Sequence, residues 1–389
     1  MRILAPIHLL LYLAHVRQCR PKGSTYKKCA IFKPDNLGDV VLSLGAIRCI
    51  TERFGEEHCS IVCNANTAEL LHREFPKLDI VAGVESRRLS ERRLWKTMRK
   101  LRQLKQKALF HKGVDLLISL RHHRSMHLDM LLSAIPATVT VGAPSSPWSE
   151  FEGELTASRL CFDKTASLEN EFECKELAWH AAVLSSAFEV DIRAHDILSR
   201  INGVPRTKLM EPRIVIAPFA GERVREIGLV QLKQIVLAVQ RQCRIPTVIL
   251  SGVGDKRRSD ELAANLRESG SFDVSSICTE TLEQMMQVLA DAAAVLTADS
   301  SPAHLSTALD VPTVVLIGGG HPGWFGYWRR SDKQVWLDNR LPCYGCNWNC
   351  IYDKPVCITD ISPELIAAEV IRRLPPLRKD MENCHNQII

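Results

Sequence analysis

The sequence predicts an α/β fold with two doubly wound domains. Short apolar runs typical of buried strands alternate with segments of helical spacing, and the same alternation starts again after Pro212. At 389 residues the chain also exceeds the size that one hydrophobic core usually supports. We therefore expect two Rossmann-like domains, at 28–205 and 206–389, that face each other across a cleft, with a short leader at 1–27.

In the first half, five apolar runs predict strands of a parallel sheet. They lie at 29–32, 58–63, 78–82, 114–120 and 137–141. A turn at 34–38 follows the first run, and a helix then continues from Val41 with apolar residues at helical spacing. Because 144–167 shows little periodicity, we expect a loop there.

The second half repeats the pattern. Strands are predicted at 213–217, 247–250, 294–297 and 312–317, and helices at 229–240, 255–267, 302–309 and 362–374. The last helix begins with Ser362 as a favourable N-cap and Pro363 in its first turn. Repeated strand–helix units form parallel sheets, and such sheets bind ligands at the carboxyl ends of their strands.

The composition is that of a globular protein, since 46% of the residues are hydrophobic and 24% are charged. A net charge of +6 suits anionic ligands such as nucleotide diphosphates or phosphorylated glycans, but it is too small to indicate a nucleic-acid partner. Most of the 14 cysteines lie in apolar runs, where a thiol behaves as a small hydrophobic group. We therefore expect a reducing, cytoplasmic compartment.

The first 16 residues are apolar, and basic residues follow them at once without the small residues of a cleavage site. This run is shorter than the roughly 20 residues that span a bilayer. Two interpretations stay open: a helix packed on the fold, or an interfacial anchor with basic residues behind it. No other stretch of the sequence is long and apolar enough to cross a membrane.

Residues 87–107 form a strongly basic segment, with ten Lys or Arg and one Glu. Apolar residues from Leu94 to Leu104 recur at helical spacing and predict an amphipathic helix. Its basic face is either an ordinary solvated surface or one that attracts anionic lipid headgroups or phosphorylated acceptor sugars. The one-sided charge favours the second interpretation, and with it peripheral contact with the inner face of the cytoplasmic membrane.

The first candidate site is the Asn-Leu-Gly-Asp segment after the first strand. Gly38 lets a ligand approach the backbone, and the N–H groups at the start of the following helix favour an anion. Asp39 either faces a ligand there or only caps the helix. The segment lacks the GxGxxG pattern and an acidic residue at the ribose-binding distance, which argues against a dinucleotide dehydrogenase.

The second candidate site follows the strand predicted at 294–297. Ser300, Ser301 and the N–H groups behind them predict an anion site suited to a diphosphate. We expect Asp299 to cap the next helix or to accept a hydrogen bond from a ribose hydroxyl. His304, one turn into that helix, either donates to a phosphate oxygen or packs in the core.

Two more loops at strand ends favour the same ligand. Gly318 and Gly319 follow one strand and are expected to expose backbone N–H groups to the same diphosphate-containing ligand, a nucleotide-sugar donor. Arg225, in the loop after the strand at 213–217, is placed to neutralise a departing diphosphate. The alternative for Arg225 is a surface ion pair with a nearby glutamate.

Polar residues also follow the strand predicted at 114–120. Arg121, His122 and Arg124 come directly after this apolar run, so they lie at the carboxyl end of a strand. Acceptor binding is the functional interpretation, and an exposed polar loop is the alternative.

These motifs, in this order, resemble glycosyltransferase family 9, the lipopolysaccharide heptosyltransferases, over roughly residues 28–375. The family's Gly-Asp motif after the first strand is similar to Gly38-Asp39. Its Asp-Ser-Gly-Pro-x-His-Leu motif resembles residues 299–305, where Ser301 replaces the usual Gly.

The resemblance implies a GT-B type fold and an inverting, metal-independent sugar transfer with Asp39 as general base. It implies ADP-heptose as donor and a lipopolysaccharide core or related glycan as acceptor. Arg225 stands where a Lys is common, and the loop at 318–322 differs from the usual Gly-Pro-Thr-x-Pro. These departures leave the identity of the donor open.

The resemblance extends to a cysteine-rich tail. Its thiols belong to Cys343, Cys346, Cys350 and Cys357. Zinc binding is one interpretation, but structural zinc sites usually separate two ligand pairs more widely, which favours reduced, packed thiols. The resemblance also implies that the protein requires no cofactor.

Two other functions stay open from the sequence. A non-catalytic protein that binds nucleotide sugars or glycans would have no need of Asp39 together with the Asp299 loop. A GT-B nucleotide-sugar epimerase would need a donor and no acceptor, and the basic segment at 87–107 would then have no role.

Overall fold

A computed structural model describes the protein over residues 26–84, 99–100, 102–104, 106–121, 123–143, 161–167, 174–207, 212–270, 273–329 and 331–375. The chain divides into two compact units, Met1–Ser199 and Arg200–Ile389. Each unit contains one six-stranded sheet in which every strand pairing is parallel. Both units are therefore α/β and doubly wound, as predicted.

The first unit contains strands β1 to β6 and helices α1 to α5. The strands are β1 Cys29–Lys33, β2 Cys59–Cys63, β3 Asp79–Ala82, β4 Val114–Ser119, β5 Ala137–Gly142 and β6 Lys164–Thr165. The helices are α1 Leu37–Phe54, α2 Ala68–Glu74, α3 Ala108–Lys112, α4 Met126–Ser133 and α5 Lys175–Phe188. The strand order is β3-β2-β1-β4-β5-β6.

The second unit contains strands β7 to β12 and helices α6 to α11. The strands are β7 Ile214–Ala217, β8 Thr247–Gly252, β9 Val274–Thr279, β10 Ala294–Ala298, β11 Thr313–Leu316 and β12 Gln334–Leu337. The helices are α6 Leu229–Gln242, α7 Lys256–Glu268, α8 Leu282–Ala290, α9 Ser301–Ala308, α10 Val356–Thr359 and α11 Pro363–Arg372. The order β12-β11-β10-β7-β8-β9 is the same topology as in the first unit.

The central strands form the core of each sheet. All five residues of β1 are buried, because β1 pairs with both β2 and β4. In the second sheet β10 is buried throughout and lies between β11 and β7. Near-continuous apolar runs are typical of parallel strands that are covered on both faces, which is why the sequence pattern located these strands.

The strand order reverses between β1 and β4 in the first sheet and between β7 and β10 in the second. In open parallel sheets, ligands bind outside the carboxyl ends of the strands at such a switch point. The loops that follow β1 and β4, and those that follow β7 and β10, are therefore the places to look for a site in each unit.

The predicted strands are confirmed to within two residues at each end. The turn predicted at 34–38 is shorter, since α1 already begins at Leu37. The sequence analysis missed three strands, β6, β9 and β12, and β9 is a partly exposed edge strand with two serines. It also missed six of the helices named above, α2, α3, α4, α5, α8 and α10. The buried face of α5 contains the polar residues Glu176 and His180.

Within the described residues, no helix has the length and apolarity needed to cross a membrane. The apolar leader and most of the basic segment lie outside those residues. At the end of the basic segment, residues 99–100 and 102–104 are helical, with Arg99 and Arg102 exposed and Leu104 buried.

Candidate functional site

The first turn of α1 contains the predicted catalytic residue. Asn36 is the N-cap, so Gly38 and Asp39 lie in the first turn, and the interpretation of Asp39 as a helix cap is wrong. Asp39 is partly buried, and its backbone oxygen accepts a hydrogen bond from Ser43 Oγ at 2.7 Å. A carboxylate in the first turn of a helix is stabilised by the positive end of the helix dipole, which favours the ionised form that a general base requires.

A buried lysine joins the carboxyl ends of β1 and β4. Lys33 Nζ donates to the Leu120 carbonyl at 3.0 Å and to Glu176 Oε1 at 2.6 Å, and it lies 3.1 Å from Asp35 Oδ2. Burial by itself lowers the pKa of this fully buried ammonium, but the nearby carboxylates of Asp35, Glu176 and Asp39 raise it above its ordinary value. Lys33 is therefore a permanent cation next to the loop that leads to Asp39.

Two further side chains complete this cluster. Arg121 Nη1 pairs with Asp35 Oδ1, and Arg121 Nε donates to the His123 carbonyl at 2.9 Å. His180 Nε2 lies 3.2 Å from Glu176 Oε1 and 3.1 Å from the Leu120 carbonyl. Of these residues the sequence analysis selected only Arg121. A lysine at the end of an apolar strand and a Glu-x-x-x-His pair on one helix face were the signals available for the others.

The other predicted acceptor residues differ in their surroundings. Arg124 is 5% exposed, its guanidinium lies 3.1 Å from Asp129, and it stacks over the Phe162 ring at 4.4 Å from the centroid. His122 lies outside the described residues. Acceptor binding by these side chains stays a prediction, and the Asp129 pair gives Arg124 a structural role.

In the second unit, the loops at the switch point are joined by an arginine. Arg225, at the end of a 3₁₀ turn after β7, donates from Nη1 to the Asp299 carbonyl after β10 at 3.2 Å. Its guanidinium also lies 5.6 Å from the centroid of the Trp348 ring. A cation is thus placed between the two central strands of the sheet, where the fold binds anionic ligands.

The alternative for Arg225, an ion pair with a neighbouring glutamate, is weak in the structure. Arg225 Nε is 4.0 Å from Glu222 Oε2. Glu226 instead pairs with Arg258, whose Nη1 donates to Glu226 Oε1 at 3.0 Å and to Asp255 Oδ1 at 2.6 Å. Arg258 therefore links the loop after β7 to the start of α7 and supports the turn that contains Arg225.

The loop after β10 contains the predicted anion site. Ser300 is the N-cap of α9 and Ser301 its first residue, so the prediction that Asp299 caps this helix is wrong. Asp299 is 5% exposed; burial raises the pKa of its carboxyl, and the Arg225 cation lowers it by less. His304 is also buried, and its Nε2 lies 4.0 Å from Asp299 Oδ1. The loop therefore places a carboxyl, an imidazole and a helix N-terminus together, as expected for a ligand site.

The Gly-rich loop after β11 packs against the cysteine-rich tail. A Cβ on Gly319 would lie 2.4 Å from the Tyr344 ring, and one on Gly320 would lie 2.2 Å from the Trp348 ring. The backbones also join, since the N–H of Gly345 donates to the Gly319 carbonyl at 2.7 Å. These glycines leave room for aromatic rings, and donor binding by Gly318 and Gly319 stays a prediction.

The four tail thiols differ in exposure. Cys357 is buried, Cys343 and Cys346 are half-buried, and Cys350 is exposed. Burial, with a smaller contribution from the other three thiols, raises the pKa of Cys357. Over the described ranges, no group of three or more His, Cys, Asp or Glu side chains is arranged to hold a metal ion. Zinc in this tail stays an untested prediction.

Residues 231–351, which include the Asp299 loop and the Gly-rich loop, match the family model described as glycosyltransferase family 9 (heptosyltransferase). Over this segment the predicted resemblance to glycosyltransferase family 9 is confirmed. It is also similar to lipopolysaccharide heptosyltransferase 1 of Pseudomonas aeruginosa, with 32% identity over 131 residues. That match spans 30% of this chain and 35% of the length of the relative.

Solved structures of the family share the fold along most of the chain. The E. coli ADP-heptose lps heptosyltransferase II has a TM-score of 0.65 at 15% identity, covering 89% of this chain and 98% of its own. A family 9 glycosyl transferase from Veillonella parvula has a TM-score of 0.64 at 16% identity, covering 90% and 97%. Likeness at this level confirms the GT-B type fold of two Rossmann-like domains, while the predicted cleft stays a prediction.

Proposed function

We propose that this protein is a glycosyltransferase that transfers a heptosyl group from ADP-heptose to a lipopolysaccharide core or a related glycan. The observation that supports this most directly is the contact between Arg225 and the Asp299 loop, at the switch point of the second sheet. That loop lies in the segment matched to family 9. The name of the E. coli relative supports ADP-heptose as the donor.

The departing group is a nucleoside diphosphate, and it gains negative charge as the glycosidic bond breaks. Arg225 supplies a cation, and the N-terminus of α9 at Ser300 and Ser301 supplies backbone N–H groups. Donors that are aimed in advance at developing charge usually give the largest single contribution to catalysis. The sequence contains no Asp-x-Asp motif, so we infer that these groups take the role that a divalent metal has in other glycosyltransferases.

The nucleophile is an acceptor hydroxyl, which attacks the anomeric carbon from the face opposite the diphosphate and inverts it. A hydroxyl is a weak nucleophile until a base removes its proton, and such general base catalysis is worth roughly 10²–10⁴-fold in rate. Asp39 is the base in this proposal, because it is partly buried in the first turn of α1. Arg121 follows β4, pairs with Asp35 in the loop that leads to Asp39, and is the side chain that we assign to an anionic acceptor group.

The proposal assigns contact with the acceptor and with the membrane to positively charged side chains. The exposed Arg99 and Arg102, at the end of the basic segment, can contact phosphorylated sugars or anionic headgroups on the cytoplasmic face. Such contact would bring the enzyme to a lipid-linked acceptor without a membrane span.

The experiment is an assay of nucleoside diphosphate release with ADP-, UDP-, GDP- and CDP-linked sugars, each with and without a lipopolysaccharide-core acceptor. The expected result is release of ADP from ADP-heptose that depends on the acceptor, with transfer of heptose seen by mass spectrometry. Conversion of a donor to its epimer without an acceptor would support the epimerase instead. Binding of donors without any turnover would support the non-catalytic alternative.

A further inference from the structure

His304 lies between two tryptophans in the second unit. The ring centroids of His304 and Trp328 are 6.5 Å apart with an interplanar angle of 23°, and those of His304 and Trp336 are 5.9 Å apart at 45°. Trp328 is fully buried and His304 is 5% exposed. A buried imidazole must satisfy both ring nitrogens, so its hydrogen bonds determine which nitrogen holds the proton.

The partner of one nitrogen is unambiguous. Trp328 Nε1 donates to His304 Nδ1 at 3.2 Å. An indole N–H is a donor and cannot accept, so Nδ1 must be the unprotonated nitrogen. The ring proton of neutral His304 is then on Nε2, the nitrogen that lies 4.0 Å from Asp299 Oδ1.

The surroundings of the His304 ring have opposite effects on its protonation. A carboxylate at Asp299 would favour an imidazolium, whereas burial of the ring disfavours any charged form. Arg329 lies at the C-terminal end of α9, where it donates to the Thr307 carbonyl and pairs with Asp310. Protonating Nδ1 would also place two donors against each other and break the bond to Trp328.

We propose that Trp328 is a positioning residue that holds His304 as the neutral tautomer with its proton on Nε2, and that this N–H is a donor to the diphosphate of the nucleotide. The inference rests on the proposed function for the identity of the ligand, but not for the tautomer. Arg225 already supplies a permanent charge next to Asp299. His304 therefore adds a hydrogen bond of fixed direction, which the Nε2 proton of the neutral ring donates.

The test compares Trp328→Phe with the matched control Trp336→Phe. Both changes remove an indole that packs on His304, but over the described residues Trp336 Nε1 makes no hydrogen bond. In ¹⁵N-histidine-labelled protein, the His304 signal is assigned by its loss in His304→Gln. We expect wild type and Trp336→Phe to show an unprotonated Nδ1 and a protonated Nε2, and Trp328→Phe to lose this preference.

Calorimetry with ADP gives the second readout. We expect Trp328→Phe to weaken ADP binding about fivefold, the cost of one misdirected hydrogen bond, and Trp336→Phe to weaken it by less than twofold. If Trp328→Phe does not fold, a pair at position 304 gives the answer. The Gln amide nitrogen reaches the Nε2 position, so His304→Gln should retain more ADP affinity than His304→Asn.

These outcomes distinguish failure of the proposed role of Trp328 and His304 from failure of the proposed ADP-linked donor. A wild-type signal with Nδ1 protonated, or the same tautomer in Trp328→Phe, would overturn the role of Trp328. Equal losses of ADP affinity in the two tryptophan variants, or in the Gln and Asn variants, would overturn the role of the Nε2 proton as donor. A wild-type protein with the expected tautomer that binds no ADP would instead contradict the proposed donor.

Discussion

Lys33 and Glu176 form an ion pair in which Nζ and Oε1 are 2.6 Å apart and both side chains are fully buried. The pair joins the end of β1 to α5, next to the loop that leads to Asp39. Buried charges remain ionised only when partners replace the water that they lose. Lys33 has three such partners, and Glu176 has a second neighbour in His180.

The first prediction concerns this pair. Replacing Lys33 by Met leaves the buried Glu176 carboxylate without its lysine partner, so the free energy of unfolding should fall by about 3–5 kcal/mol. Urea unfolding followed by tryptophan fluorescence measures the loss. The control is Lys164→Met, which breaks the exposed pair between Lys164 and Glu189 and should cost less than about 1 kcal/mol. Equal losses of unfolding free energy in the two variants would show that the buried Lys33 pair contributes no more to stability than the exposed pair.

The second prediction concerns Asp39. Asp39→Asn removes the proton acceptor but keeps the side-chain shape, so turnover should fall at least about 100-fold. Affinity for the donor and the melting temperature should change little, because Asn36 and not Asp39 is the helix cap. The measurements are kcat with saturating acceptor, and calorimetry with the donor. Near wild-type turnover would leave Asp39 with a structural role only.

The third prediction follows from the raised pKa of Asp299. An unfolded Asp titrates near pH 4, whereas burial holds the folded carboxyl in its protonated form to higher pH. The folded state therefore loses stability as the pH rises from about 4 through the raised pKa, because the unfolded state releases its proton first.

Asp299→Asn removes this titration. Its melting temperature should exceed that of the wild type at pH 7, and the difference should shrink as the pH falls to about 3.5. The control is Asp273→Asn at an exposed position, which should show no such trend. If the melting-temperature advantage of Asp299→Asn over the wild type grows towards acid pH, the prediction is wrong.

The fourth prediction concerns the basic segment. Arg99 and Arg102 are exposed, and each basic residue near an anionic membrane contributes about 1 kcal/mol. Reversing both to Glu should therefore weaken binding to vesicles that contain anionic lipid by more than tenfold, and added salt should weaken wild-type binding. The matched control reverses Arg257 and Arg340, which are exposed in the second unit. Vesicle sedimentation is the measurement, and equal effects of the two pairs would argue against a membrane face at 87–107.

The fifth prediction concerns the Gly-rich loop. A methyl group on Gly319 would collide with the Tyr344 ring, so Gly319→Ala should destabilise the second unit by about 1–3 kcal/mol. Gly254→Ala is the control, because nothing lies within 4 Å of its added Cβ. Thermal unfolding of the two variants measures the difference. If Gly319→Ala leaves the stability unchanged, the cysteine-rich tail accommodates the added methyl group without destabilising the fold.

Several parts of the site could be found along the chain. Asp39, Arg225 and Asp299 each follow an apolar run that is buried on both sides, so strand periodicity located the loops. Parallel sheets bind ligands at the carboxyl ends of their strands, so these loops were the right places to search. The cap of α9 was assigned one residue too early, because propensity does not distinguish adjacent Asp and Ser residues at a helix start.

The sequence by its own periodicity determined where nine of the strands and five of the helices named above lie, because burial on a sheet or helix face repeats locally. It did not determine which side chains meet. Lys33 and Glu176 are 143 positions apart and Arg225 and Asp299 are 74 apart, and Trp328, in the loop after β11, reaches His304 in α9. Those contacts depend on the order of the strands in each sheet, which no local pattern encodes, and they decide which charges are paired and which nitrogen of His304 holds the proton.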